Sequence, residues 1–323
     1  MRKLMLGILV IYPLLITKSG FAQMKEPSKI ELETHLKRIV GERTPGSSDR
    51  HLAQVFQHVK ETLERSGYQV ELDSFPFSTK QIGGSAALSG GLEKTFQNII
   101  GRKKGVLSDE RIIIGAHFDS VPGSPGADDN ASGVVVMLEL ARILAGRKWK
   151  HTVEFIGFNM EEWNMIGSNA YVKKIKQDKI KVFGMVSLEM VGFSSDAPKS
   201  QKIPMGFSFF YPTTGNFIAV VGNLKSFGLL NLFKSKMKEV KQLPVESLAL
   251  PFNGWPVPAV RLSDHSPFWD AGYPALLITD TSFYRNPHYH GPTDTIETLN
   301  MDFMQKVTEG VAKALIALDE NTS

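Results

Sequence analysis

The sequence predicts an α/β protein built on an open, mostly parallel sheet with helices on both faces. Short apolar runs alternate with segments of helical periodicity along most of the chain. The run "IIIGAH" is apolar without alternation, as a strand buried on both faces is. At 42% hydrophobic and 22% charged over 323 residues, the chain has ample apolar surface for a large core and does not read as a disordered tail.

The elements follow in order. Residues 27–40 and 49–66 carry apolar side chains at helical spacing, and Gly67 stands where a helix C-cap belongs. "YQVELDSFPF" (68–77) alternates like a strand, and the Ser/Gly-rich stretch 79–94 reads as a surface excursion. Strands are predicted at 96–104 and 110–117, then a helix over 131–144 that packs through Val134, Val135, Leu138 and Ala141. A strand at 150–159, a helix at 168–177, strands at 181–190 and 273–280, and a final helix at 301–318 complete the alternation. Residues 195–258 are less regular. They hold an amphipathic helix candidate, "LKSFGLLNLFKSKMKEV", and a proline- and aromatic-rich run, and read as an excursion over the carboxyl edge of the sheet. No repeat or linker interrupts the chain, so one domain is expected from 23 to 321.

Residues 1–22 stand apart. Arg2 and Lys3 precede an apolar run from Leu4 to Ile16, and small residues Gly20 and Ala22 close it. That is the pattern of a cleaved secretory signal, and the run is short of the roughly 20 residues that cross a bilayer. Export to a periplasm or the exterior is expected, with cleavage after Ala22 and no membrane attachment afterwards. Arg2, Lys3 and Lys18 leave with the signal, so the net charge of +4 falls to +1 and nucleic acid is not an expected partner. With no cysteine, disulfides are excluded, and any metal must be held by His, Asp and Glu, a donor set suited to catalytic zinc.

Just past the carboxyl ends of the predicted strands, where α/β folds place functional groups, the chain puts His and acid together. His117 and Asp119 end one strand, and Asp128 and Asp129 precede the next helix. Glu161 and Glu162 end a second strand, Glu189 a third, and His288 and His290 follow the last. Taken singly, Asp128 or Asp129 reads equally well as a helix cap, His117 as a core histidine, and the Glu pair as an exposed turn. Glu189 at the end of an apolar strand needs a partner or a cation to offset its desolvation. Taken together they predict a metal site. Two zinc ions in proximity need an anionic group between them, with one His and one further carboxylate each. A carboxylate left over could carry the proton of an attacking water.

The motifs "GAHFDS", "PGADDNASG", "EEWNMIGS", "SLEM", "SDHSPFWDAGYPALLITD" and "NPHYHGPTDT" resemble, in order, those of the co-catalytic zinc exopeptidases typified by secreted bacterial leucine aminopeptidases. The resemblance runs from about residue 41, "GERTPGSSDRH", to about 318. It implies a three-layer α/β/α domain around a central mixed, mostly parallel sheet, and two zinc ions per chain. It implies His117 and Glu189 on one zinc, Glu162 and His290 on the other, and Asp129 bridging. Asp119 would orient the His117 ring and Glu161 would be the general base. Glu189 stands where many aminopeptidases have aspartate. Asp264 and His265 are placed near the metals or the substrate, and Trp163, Trp255, Phe268, Phe283 and Tyr284 are candidates for an apolar substrate pocket. The implied activity is hydrolysis of the first peptide bond of peptides with a free N-terminus.

Glutaminyl-peptide cyclase resembles the same layout, with one zinc and pyroglutamate as product. Glu189 and the aromatic-rich 251–269 segment keep that reading open, and "GADDNASG" speaks against it. A dipeptidase or carboxypeptidase of the same fold differs only in what its pocket recognises. A binding protein without catalysis would have lost ligands or the base, and this sequence retains them.

Overall fold

The computed structural model describes residues 24–78, 93–203 and 210–321. The expected signal at 1–22 and most of the 79–94 excursion lie outside the described residues. Among those described, the strands are β1 (Gln69–Ser78), β2 (Glu93–Lys103), β3 (Ser108–His117), β4 (His151–Phe158), β5 (Val182–Glu189), β6 (Ile218–Asn223), β7 (Val245–Leu250) and β8 (Ala275–Thr279). The helices are α1 (Lys29–Ile39), α2 (Asp49–Arg65), α3 (Gly133–Ile143), α4 (Ile166–Gln177), α5 (Phe227–Met237), α6 (His265–Ala271) and α7 (Met301–Glu320).

The eight strands form one sheet in the order β1-β2-β4-β3-β5-β8-β6-β7. β3 pairs in parallel with β4 and β5, β5 with β8, and β6 with β7. β1 with β2, β2 with β4, and β6 with β8 run antiparallel, so the sheet is mixed. Side chains of successive residues point to opposite faces, and both faces of the central strands are apolar. Ile112, Ile114, Val186, Leu188, Leu276 and Ile278 pack under α1, α2, α3, α5 and α7. Ile113, Met185, Ala219, Val221 and Leu277 face the other way, where α4 and α6 cover part of the sheet.

Local chemistry sets the helix ends. Ser28 Oγ accepts from Glu31 N–H at 3.3 Å and Asn300 caps α7 through Phe303 N–H, each a side-chain cap on a free helix donor. Gly67, with φ of +80°, donates to Glu64 O and lets Tyr68 N–H reach Leu63 O, which closes α2 in the expected way. α3 is apolar around nearly its whole circumference and is buried accordingly.

Two expectations need correction. The 195–258 stretch is no mere excursion: it supplies β6, α5 and β7, which extend the sheet by two strands. "IAVVGN" and "VESLAL" are only six residues each, too short to show periodicity among their polar and proline-rich neighbours. The segment after "PVPAV" also contains α6, a seven-residue helix that the sequence reading left out.

Candidate metal centre

β4, β3 and β5 are neighbours and run in the same direction, so their carboxyl ends share one rim. His117 is the last residue of β3 and Glu189 the last of β5, while Glu161 and Glu162 follow β4. Asp129 comes from the buried turn 127–132 between β3 and α3. His290 arrives from the loop after β8 in a left-handed conformation, φ +55°. Met160 and Met190, at the exits of β4 and β5, are left-handed too (φ +63° and +49°), so the chain turns sharply at each ligand.

His117 Nε2 stands 3.3 Å from Asp129 Oδ1 and 3.4 Å from Glu189 Oε2. His290 Nε2 stands 3.1 Å from Asp129 Oδ2 and 3.3 Å from Glu162 Oε2. The two oxygens of Asp129 therefore face different histidines, and His117–Asp129–Glu189 and Asp129–Glu162–His290 form two triads that share one carboxylate. Neighbouring ligands of a tetrahedral zinc with bonds of about 2.0–2.2 Å lie about 3.4 Å apart, the spacing found in both triads. Glu162 Oε1 is buried and makes no hydrogen bond among the described residues. The donor set, its spacing and this unpaired oxygen all fit a pair of divalent cations.

The electrostatics point the same way. Burial disfavours the His117 imidazolium, yet Glu189 and Glu161 raise its pKa well above the usual value. His290 is likewise raised, to about 10, because hydrogen bonds to Asp129 and Glu162 outweigh burial. Burial alone would raise Asp129, but the two histidines hold it below the ordinary carboxylate range. Glu162 is pushed up to about 7 by burial and by the Asp129 charge. Glu161 is raised well above the ordinary value by burial and, next to it, by the charges of Glu189, Asp264 and Glu162. Cations bound among these carboxylates would favour their charged forms.

Glu161 belongs to neither triad. Its Oε2 lies 3.8 Å from His117 Nε2, and its side chain lines the adjoining cavity. Asp119 does more than face His117 Nδ1, 3.4 Å from its Oδ1. Oδ1 accepts from Glu161 N–H at 3.1 Å and Oδ2 from Glu162 N–H at 3.2 Å, so one carboxylate fixes the whole Glu161–Glu162 turn.

Several supporting residues carry no role in the sequence reading. Asp294 accepts from the N–H groups of Asp128 and Asp129 at 2.9 and 3.1 Å. Arg43, fully buried, donates to the carbonyls of Phe118, Gly41, Pro125 and Gly126, tying α1's exit to the Asp129 turn. At Gly126, φ is +62° and a Cβ would come within 2.6 Å of Arg43 Nη2, so the clamp needs glycine there. Ser263 Oγ donates to Glu189 Oε2 at 2.8 Å. Arg43 and Asp294 sit in "GERTPG" and "HGPTDT", but nothing in a linear sequence marks a charged residue as fully buried. Asp128 is not a helix cap: its oxygens accept from Gly192 N–H and Asn286 Nδ2. His288 stays outside the cluster, bonded to Thr293 and edge-on to Phe193.

A cavity of about 150 Å³ opens beside the triads, with Phe283 and Tyr284 on its wall. The other expected pocket residues lie elsewhere. Phe268 is core, packed against Phe158 and Tyr171. His265 is buried against Trp269 and its Nε2 faces Val260 O. Trp163 packs on Phe77, and Trp255 lies exposed beneath Arg261. Asp264 is buried behind the cluster, and burial and the nearby Glu189 and Asp119 charges push it up to about 7. Aromatic type alone does not distinguish a cavity wall from ordinary packing.

Fold and site define an open α/β protein whose sheet edge carries two His-carboxylate triads sharing one aspartate. The model of peptidase family M28 matches residues 98–315, and the chain belongs to that family. It is 32% identical to the Escherichia coli (strain K12) protein YfbL, itself uncharacterized, over 98% of this chain and 99% of that one. It is 29% identical to aminopeptidase YwaD of Bacillus subtilis (strain 168) over 73% of this chain, but only 48% of YwaD is covered. The chain thus spans about half the length of the curated aminopeptidases it matches. Among solved structures, BSAP, a zinc aminopeptidase from Bacillus subtilis, superposes with a TM-score of 0.67 at 19% identity, covering 90% of this chain and 95% of BSAP. Porphyromonas gingivalis glutaminyl cyclase superposes almost as well, at 0.66 and 20% identity over 91% and 99%. These likenesses show a shared α/β fold.

Proposed function

We propose that the chain is a zinc-dependent aminopeptidase that removes the first residue of peptides with a free N-terminus. The observation that carries this is the placement of Asp129, whose two oxygens face two separate His-carboxylate pairs, while Glu161, 3.8 Å from His117, belongs to neither triad. His117, Asp129 and Glu189 would hold one zinc, and Asp129, Glu162 and His290 the other. Bound there, zinc supplies Lewis acidity toward the scissile carbonyl and makes water acidic near neutral pH.

The chain's own residues do the rest. Glu161 takes a proton from the attacking water at its carboxylate and returns it to the departing amine. Asp119 holds Glu161 in place through its backbone N–H, and the cavity beside it receives the side chain of the first residue. A single domain from 23 to 321 would act after export and removal of residues 1–22, a step that N-terminal sequencing of the exported protein would reveal.

Elemental analysis of the purified protein, with aminoacyl-amide hydrolysis and cyclisation of N-terminal glutamine assayed on the same sample, tests the reading. About two zinc ions per chain with amide hydrolysis supports it. One zinc with cyclisation makes the protein a glutaminyl cyclase, and cleavage only from the C-terminus or only of dipeptides assigns another exopeptidase. Glu161→Gln is expected to lose roughly 10²–10⁴-fold in kcat while keeping its metal.

A further inference from the structure

The cavity is a trough laid across three strands, and its far end carries a charge. Glu189 pairs with Thr279, Thr279 with Ala219, and Ala219 with Glu246. Residues paired across strands point to the same face, so these four side chains form one row from the proposed metal centre on β5 to β7. At about 4.8 Å per strand, Glu246 lies about 14 Å from Glu189. The next row on the same face is Leu277, Val221 and Leu248. All of these residues line the cavity. Among the described residues neither α4 nor α6 lines the cavity.

Four of the cavity's carboxylates belong to the cluster around the triads; the remaining one is Glu246. It is half-buried on β7, in a wall that is otherwise mostly hydrocarbon, and among the described residues it makes no ion pair. Among the described residues Lys202 is the one cation on the wall; it is exposed and forms no ion pair with Glu246. A carboxylate at the end of an apolar channel suits a side chain with a long hydrocarbon stem and a cationic tip. With the substrate's α-carbon beside the metals, leucine, reaching about 4 Å, ends over Thr279, one strand of about 4.8 Å along the row. Lysine and arginine, reaching about 6–7 Å, pass Thr279 toward Ala219, where a Glu246 side chain leaning back along the row would meet the cationic tip.

We propose that Glu246 makes this trough a site for a basic side chain, so that lysine or arginine is the preferred N-terminal residue; this rests on the aminopeptidase reading above. The test compares L-lysinamide with L-norleucinamide, which lacks only the terminal ammonium, on the zinc-loaded chain. The expected kcat/KM ratio is at least tenfold in favour of lysinamide, falling at least tenfold in Glu246→Gln and inverting in Glu246→Lys. A wild-type ratio at or below one, or a ratio that Glu246→Gln leaves unchanged, overturns the proposal. Calorimetric binding of both amides to Glu161→Gln, with and without Glu246→Gln, reads the same discrimination without turnover. If neither amide is hydrolysed, the aminopeptidase reading fails, and binding alone decides Glu246. A tenfold preference lost in the double variant upholds it, and equal binding overturns it.

Discussion

Asp119 shows how much one buried carboxylate can organise. It touches His117 from one side and accepts both N–H groups of the Glu161–Glu162 turn from the other. It therefore fixes the distance between a proposed ligand and the proposed base. Asp119→Asn preserves the shape but replaces an acceptor with an amide NH₂, which cannot accept the N–H it then faces. Zinc affinity or kcat should fall about 10–100-fold, as for other groups that orient ligands, with zinc retention measured against a competing chelator. An unchanged rate and unchanged retention would show that the turn holds itself. The residue types at this rim were legible because acids and histidines at successive strand ends have few structural uses. The double role of Asp119 was not, since backbone donors leave no trace in side-chain identity.

Helices and strands with strong periodicity were readable to within a few residues, from α1 and α2 through β5, β8 and α7. β6 and β7 were not, because six-residue strands beside glycine, proline and a helix carry too little pattern. These two strands supply the trough floor, whereas most of the aromatics expected in the pocket belong to the core or surface. α1 and α2 carry a separate consequence. His35 Nδ1 and His58 Nε2 lie 2.9 Å apart across their packing interface, and burial, His58, Arg65 and Arg142 together lower His35 to about 4. Burial, Arg65 and Arg38 lower His58 as well, against a small opposing effect of Glu61. The folded state thus binds fewer protons than the unfolded chain between about pH 6.5 and 4. Stability is full above that window and is lost as pH falls through it, by about 3 kcal/mol for His35. Urea midpoints measured from pH 7 to 4 should drop more steeply for the wild type than for His35→Phe. Parallel curves would remove this pair from the acid response.

Across the entire protein, stability and the proposed metal centre are linked. The triads crowd acids at the junction of β3, β4, β5 and the Asp129 turn, so cations bound there stabilise only the folded chain. At about 100 times the dissociation constant this is worth roughly 2.7 kcal/mol. A chelator should therefore lower Tm, and zinc should restore it; a Tm indifferent to both would argue against metal at this site. One clamp on the centre and one on the sheet beneath it lie outside the middle of the chain. Arg43 reaches in ahead of β1, and Asp319, near the end of α7, accepts the N–H groups of Lys150 and His151 at the start of β4 at 3.0 and 2.9 Å. Both lie outside residues 98–315, the stretch the family model matches. A fragment trimmed to that stretch would keep every proposed ligand and yet lose β1, bare a strand edge to aggregation, and release the Asp129 turn. The stretch that the family model matches is smaller than the stretch whose residues hold the proposed centre in shape.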